Sequence, residues 1–562
     1  MDDHFGFKVE RNVEISMRDA TILRANVFRP DVQGRFPALL ERTPYGKAQE
    51  GMERYVEAGY VVVAQDSRGR YDSDGDYVPF TVEHTGDAED GYDTVEWLAQ
   101  QPYCNGKVGT MGASYNGWMQ WELARLRPPH LVAMSAQTIP LELTEVDWPG
   151  GFKAGRRVKW WMTSMAPDLR RRQGLPGPHT PLEARKLWDE VEHGRWLGFL
   201  PWLELPQFLP PGLAQYAEDW LRHPNRRPWQ FERIHQEVEV PNLDFTGWYD
   251  HCGGTMRHLG LMQENGRTQA AREHTKLVIG PWNHPCLGQR EVCGIDFGPQ
   301  AAVDLTSITI RWFDHWLKGV DNGMEREAPV RYFVMGTGVW KSALTWPPSG
   351  REQAFYFTSQ GDADQVQGTG QLVSQGETKG AHDSYIYDAR DPVPTLWTRD
   401  LFSGPTDRRA LEHRSDILYY RTLPLDEEIE VTGYPEAILF ASSSAVDTDF
   451  FVRLIDEYPD GLALEMSYGM VRARHRNGLD REELLSPGEI VTFSVKLAPT
   501  ACCFRRGHRI RLEITSSDFP NHDRNHNTGG NDLQNVDLAI AQQSVFHGGE
   551  FSSRLLLPLV PG

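Results

Sequence analysis

Near residue 328 the spacing of apolar residues changes from a mixture of strand-like runs and helical faces to an almost pure period of two. Side chains alternate across a strand but recur every 3.6 residues around a helix. A chain that does both in separate stretches must build two differently layered units. At 562 residues it also exceeds one core, since single cores stop growing near about 250–300 residues.

Upstream of the change, residues 38–40 and 60–64 (Tyr-Val-Val-Val-Ala) are buried-strand runs. Within residues 87–100, Tyr92, Val95, Leu98 and Ala99 share one helical face. Residues 107–111 form a short strand that passes through Gly112 into a helical stretch over 118–126. Such alternation predicts a parallel sheet with helices on both faces. From Glu145 to about Glu239 tryptophan, arginine and proline are frequent, residues 182–191 and 213–221 are helical, and strands are not evident. This predicts a helical insertion. Strands return at 242–246 and 277–280, followed by a helix carrying Ile308, Trp312, Phe313 and Trp316. Beyond it, residues 330–335, 437–441, 450–454, 491–495 and 509–514 are short strands separated by turns, the spacing of an antiparallel β-sandwich. The expected organisation is a core over 1–144 resumed over 241–327, a helical cap over 145–240, and a β-sandwich over 328–562. Residues 516–531, the most polar stretch, are expected to form a surface loop.

The charge narrows the partners. Lys and Arg number 58 against 78 Asp and Glu, a formal charge of −20. Such a surface repels phosphate backbones and anionic headgroups, which argues against nucleic acid and membranes. Residues 1–10 lack the basic-then-apolar order of a secretory signal, and no run nears the roughly 18 apolar residues of a membrane span. The six cysteines are scattered, with no C-x-x-C pair, as expected of reduced thiols in a cytoplasmic protein.

The chemistry centres on Gly112-Ala113-Ser114-Tyr115-Asn116-Gly117, between a strand and a helix. A serine on that turn is held strained, with its hydroxyl above the sheet edge and beside the unpaired N–H groups of a helix start. Asn116 stands where the simple G-x-S-x-G pattern has its second glycine. A serine hydroxyl needs a base, and the base an orienting carboxylate; in this topology they follow in the order Ser, Asp or Glu, His. Asp250 follows the strand 242–246, with Asp244 as a rival inside that strand; His284 follows the strand 277–280, with His251, His258 and His274 as rivals.

The serine segment resembles that of the cocaine esterase-like hydrolases, a group that includes the α-amino-acid ester hydrolases and the X-Pro dipeptidyl-peptidases. Arg42-Thr43-Pro44-Tyr45, the segment from Gln65 to Arg70, Gly247-Trp248-Tyr249-Asp250 and Gly280-Pro281-Trp282-Asn283-His284 agree with it, as do the segments from Ser516 to Pro520 and Ser553 to Leu555. The resemblance implies an α/β-hydrolase core with an inserted helical cap and a C-terminal jelly roll. It selects Asp250 and His284 as partners of Ser114. It implies an oxyanion hole made by the Tyr45 hydroxyl and the Tyr115 amide. Trp148, 34 places after Ser114, matches an aromatic pocket position of the cocaine esterase branch; Trp160, Trp161 and Cys252 complete the expected pocket. The amino-acid ester hydrolases carry carboxylates where this chain has His251, Cys252 and Gly253. An uncharged aromatic or branched acyl group is therefore expected.

The resulting expectation is a serine esterase acting on a small-molecule ester or amide without a cofactor, in a homo-oligomer such as a dimer. An amidase or X-Pro dipeptidyl-peptidase is the alternative, followed by a non-catalytic ligand-binding protein. No metal is expected. Asp66, Asp72, Asp74 and Asp76 with Arg68 and Arg70 lack the full calcium-loop pattern, and His522, Asp523 and His526 fit no zinc spacing.

Overall fold

The structure, a computed structural model, describes residues 6–81, 86–223 and 233–560. Its first unit is built on eight strands: β1 (Phe7–Ser16), β2 (Ile22–Pro30), β3 (Phe36–Thr43), β4 (Val61–Asp66), β5 (Cys104–Ala113), β6 (Leu131–Gln137), β7 (Leu243–Tyr249) and β8 (Lys276–Asn283). The first six lie in the order β1-β2-β4-β3-β5-β6. β3 pairs in parallel with both β4 and β5, and β5 with β6. β7 and β8 are also parallel. A bridge from Met134 to Asn242 joins the two groups, and the Asn242 side chain clamps it by accepting from Ala136 N–H at 2.7 Å. The inner strands are buried nearly throughout, as the apolar runs require when helices cover both faces. Helices Asp87–Ala99, Tyr115–Ala124 and Leu305–Lys318 supply the covering.

Between β6 and β7 the described residues are largely helical, as expected of the cap. Gly155–Trp160 runs through a π turn, Trp161–Met165, into Ala166–Gln173. A second helix, Pro181–Leu187, starts with a reciprocal cap between Thr180 and Glu183. Pro211–Arg222 turns Leu213, Ala217, Trp220 and Leu221 inward. Among the described residues no helix is long and apolar enough to cross a membrane. All six cysteines are free.

The C-terminal unit is β-rich, thirteen strands joined in one folded sheet. Two features differ from the sequence expectation. Strand Val330–Val334, read as part of the sandwich, pairs in parallel with β8 and antiparallel with Val339–Ala343, so it extends the hydrolase sheet. A period of two is common to both sheets and cannot say which one a strand joins. We propose that the division between the units lies beyond Ala343. Residues 516–531 are largely buried. Asp518 pairs with Arg453 at 3.0 Å, and Asp523 with Arg472 and Lys153, each at 3.1 Å. The polarity that resembled a solvated loop is matched inside the protein by basic side chains.

The charged segment after β4 is ion-paired. Lys47 bridges Asp66 at 2.6 Å and Asp72 at 2.5 Å, while Arg68 holds Asp19 and Asp90. One apolar cluster runs from Trp248, Leu277 and Val330 into Leu439, Phe450 and Leu512, so the two units share a core.

Candidate active site

Ser114, Asp250 and His284 each stand just beyond the carboxyl end of a parallel strand, where open α/β sheets bind their ligands. Ser114 caps β5 with φ 59° and ψ −127°, a left-handed conformation that a non-glycine residue adopts only under constraint. The constraint is visible: its N–H donates to Gln137 O at 2.9 Å, and helix Tyr115–Ala124 follows at once. Gly117 explains the shifted glycine of the motif. A Cβ there would lie 2.9 Å from Gln137 O, so close passage of helix and β6 falls at this residue and Asn116 is free to carry a side chain. Asn116 donates to Glu41, whose half-buried carboxyl is held above its ordinary pKa by desolvation.

His284 Nδ1 lies 3.0 Å from Asp250 Oδ1. The same oxygen accepts from Cys252 N–H at 2.9 Å, and Asp250 is buried. The approach of β7 to β8 brings the pair together: a Cβ on Gly247 would fall 2.1 Å from Trp282 O, so only glycine fits. Asp244 lies inside β7, accepting from Thr138 N–H. His258 is buried against His235 at 2.9 Å, and His274 packs on Trp316. His251, however, stands in the site. Its ring centre is 4.3 Å from that of His284, and Phe402 stacks on both rings at 5.6 Å. Burial, with Arg156 nearby, holds the His251 pKa well below its ordinary value, so this ring is neutral at neutral pH.

A cavity of about 620 Å³ opens over these residues, lined by Ser114, His284, His251, Cys252, Tyr45 and Tyr115 among others. The Tyr45 hydroxyl accepts from Trp160 Nε1–H at 3.1 Å, which leaves its own proton to be donated elsewhere. The residue is partly exposed, and desolvation of its hydroxyl in the cavity wall raises the pKa, keeping the phenol protonated. Tyr115 opens its helix, where first-turn N–H groups lack intrahelical acceptors. Its own hydroxyl is used to accept from Phe80 N–H at 2.6 Å.

The expected acyl pocket is only partly assembled. Trp160 and Cys252 line the cavity; Trp161 and Trp148 do not. Successive helix residues point about 100° apart, so with Trp160 facing the cavity Trp161 turns into the cap core, edge-on to Trp220. Trp148 follows the short helix Leu143–Asp147 and leaves it with φ −135°, packing on Trp220 and under Lys153 in a separate cleft beside Arg472 and Arg474. A matching count of residues did not survive this change of direction.

Several lining residues carried no sequence signal. Phe402 and Asp400 reach the cavity from the segment between strand Ala381–Asp388 and the turn Arg408–Leu411 of the C-terminal unit. Arg156 and Arg157 line the wall and share the buried Asp147, with Arg157 at 2.5 Å from it and lying over Trp160. Two guanidinium groups on one carboxylate leave an excess positive charge facing the cavity. That charge favours a developing oxyanion and repels an ammonium group.

Comparison with known proteins identifies the family. Residues 19–285 match the X-Pro dipeptidyl-peptidase family S15, and residues 322–556 match the X-Pro dipeptidyl-peptidase C-terminal non-catalytic domain. Cocaine esterase of Rhodococcus sp. (strain MB1 Bresler) is 33% identical over 583 aligned positions, 99% of each chain. A putative serine esterase of Mycobacterium bovis is 28% identical over 90% of each. Among solved structures, an α-amino acid ester hydrolase superposes with a TM-score of 0.81 at 22% identity, covering 100% of this chain and 97% of that one. The α/β-hydrolase fold with its C-terminal β-sandwich is thereby shared, and end-to-end identity with an esterase carries the kinship further: the chain belongs to the cocaine esterase-like, X-Pro dipeptidyl-peptidase-like family of serine hydrolases.

Proposed function

We propose that this protein hydrolyses carboxylic esters through an acyl-enzyme on Ser114. The observation that carries the reading is the Asp250–His284 hydrogen bond of 3.0 Å opening on the same cavity as a serine held at φ 59°. His284 takes the Ser114 proton as the oxygen attacks the ester carbonyl, then delivers it to the departing alcohol. Asp250 fixes the imidazole tautomer and stabilises its protonated form. The Tyr45 hydroxyl and Tyr115 N–H hold the oxyanion. Water attacks the acyl-enzyme by the same sequence and frees the serine.

The group bound beside Ser114 is uncharged and apolar in this reading, an aromatic or branched acyl chain against Trp160, Phe80, Ile139 and Phe402. Arg156 and Arg157 oppose a free α-ammonium, which weighs against an amino-acid ester or an X-Pro dipeptide as substrate. Amide hydrolysis passes through the same tetrahedral intermediate and is the second reading, favoured by the family match. The test has two parts. A fluorophosphonate probe labels the wild type and fails to label Ser114→Ala. Matched aryl ester, anilide and X-Pro anilide substrates are then compared by kcat/KM. Equal labelling of Ser114→Ala ends the reading, and preference for the X-Pro anilide replaces esterase with peptidase.

A further inference from the structure

We propose that Asp250, His251, Cys252 and His284 form a site for a thiophilic divalent cation such as Zn²⁺, and that occupancy reversibly silences the enzyme. The silencing rests on the assignment of His284 as the base. One donor atom from each residue lies within 4.8 Å of the other three. In tetrahedral zinc sites, bonds of about 2.0–2.3 Å set donors about 3.3–3.8 Å apart, so closing on an ion needs shifts of roughly an ångström. A thiolate, two imidazoles and a carboxylate are donors that zinc favours, and the two anionic donors neutralise the ion, so the Arg156 and Arg157 charge that opposes an unpaired ammonium does not exclude it. Among the described residues no other group of three or more His, Cys, Asp and Glu gathers in this way.

Two atoms point to an unmet need. Asp250 Oδ2 and His251 Nδ1 are buried and lack hydrogen-bond partners, and the Asp250 side chain is fully enclosed. Three of the donors are consecutive on the turn after β7, pinned by Asp250 N–H to Gly247 O at 3.0 Å and Cys252 N–H to Asp250 Oδ1 at 2.9 Å. Phe402 covers both imidazoles and limits water, as the apolar surround of a metal site does.

The ion would act through the imidazole. Bound at His284 Nε2, it takes the lone pair that accepts the Ser114 proton. Bound at Nδ1, it leaves the proton on Nε2, which then cannot accept another. The Cys252 thiol proton passes to solvent and the sulfur bonds the metal; no electron transfer is involved.

The test uses the full chain, freed of metal with a chelator and titrated with Zn²⁺ or Cd²⁺. Micromolar Zn²⁺ should abolish ester hydrolysis and EDTA restore it. One equivalent of Cd²⁺ should raise a thiolate-to-metal charge-transfer band in the ultraviolet. Cys252→Ser should lose the band and need at least about tenfold more Zn²⁺ for half-inhibition, since even an outer-shell partner is worth roughly 10–100-fold in affinity. His251→Gln should keep the band but also need more Zn²⁺, an independent check should Cys252→Ser fold poorly. Unchanged Zn²⁺ sensitivity in the variants, or no band in the wild type, overturns the site. A band with full activity overturns the silencing. The band is read without substrate, so it stands apart from the roles of Ser114 and His284 in hydrolysis.

Discussion

Removing the Tyr45 hydroxyl separates an oxyanion donor from an ordinary loop aromatic. In Tyr45→Phe the ring keeps its edge contact with Tyr115, with centres 6.4 Å apart, so the loop should stay in place. The loss is then one donor to the intermediate, about 2.7–4 kcal/mol, or roughly a hundred- to a thousandfold in kcat. Trp160 sharpens the test because its indole N–H donates to that hydroxyl at 3.1 Å. Trp160→Phe keeps an aromatic wall but frees the phenol to turn. A hydrogen bond of this kind is worth about 0.5–1.5 kcal/mol, a loss of roughly two- to thirteenfold. In the double variant there is no hydroxyl left to position, so Trp160→Phe should cost almost nothing further in kcat. The coupling energy of the cycle should therefore nearly equal the Trp160 single effect. The assay is the acylation burst with a chromogenic aryl ester, with kcat and KM fitted for all four proteins. A Tyr45→Phe enzyme within roughly threefold of wild type, or strictly additive effects, would refute the reasoning.

Three further outcomes are expected. Trp148→Phe should leave kcat/KM for an aryl ester within about twofold of wild type, whereas Trp160→Ala should raise KM, both read by steady-state kinetics. Gly117→Ala should fold but lose about 1–3 kcal/mol of stability and part of kcat, because a Cβ 2.9 Å from Gln137 O forces the helix start and the Tyr115 N–H away from β6. His235 is buried, and desolvation pushes its pKa down from 6.5 to about 4. The unfolded chain takes up this proton below pH 6.5 and the folded chain only near pH 4. Stability is thus complete above pH 6.5 and falls by about 3 kcal/mol as pH drops through that window. The Tm of His235→Gln should fall less over the same window than that of the wild type.

The sequence spoke most clearly where local structure and chemistry coincide. Ser114 could be found because a strand, a sharp turn and a helix follow one another directly within residues 107–126. Asp250 and His284 could not be chosen by pattern alone, since His251 sits as near to the strand end as Asp250 and other histidines compete with His284; the flanking Gly-Trp-Tyr and Gly-Pro-Trp-Asn segments decided it. What period and count do not encode is direction. Neighbouring tryptophans 160 and 161 part company around a helix, and Trp148 points away after a break in one. Nor does composition reveal pairing: the acidic residues after Ser516 look solvated until Arg453 and Arg472 are found opposite them. Phe402 lies on an irregular segment far from the serine in sequence, and only the folded chain brings it over His284.

The position of Phe402 changes what the C-terminal unit is for. Ring and imidazole face each other across the seam between two differently built halves, so one wall of the cavity over Ser114 and His284 is carried by the half whose matching family is named non-catalytic. Selectivity can then be rewritten from outside the hydrolase half. A substitution at residue 400 or 402 should alter what the cavity admits while leaving the Ser114, Asp250 and His284 side chains themselves in place.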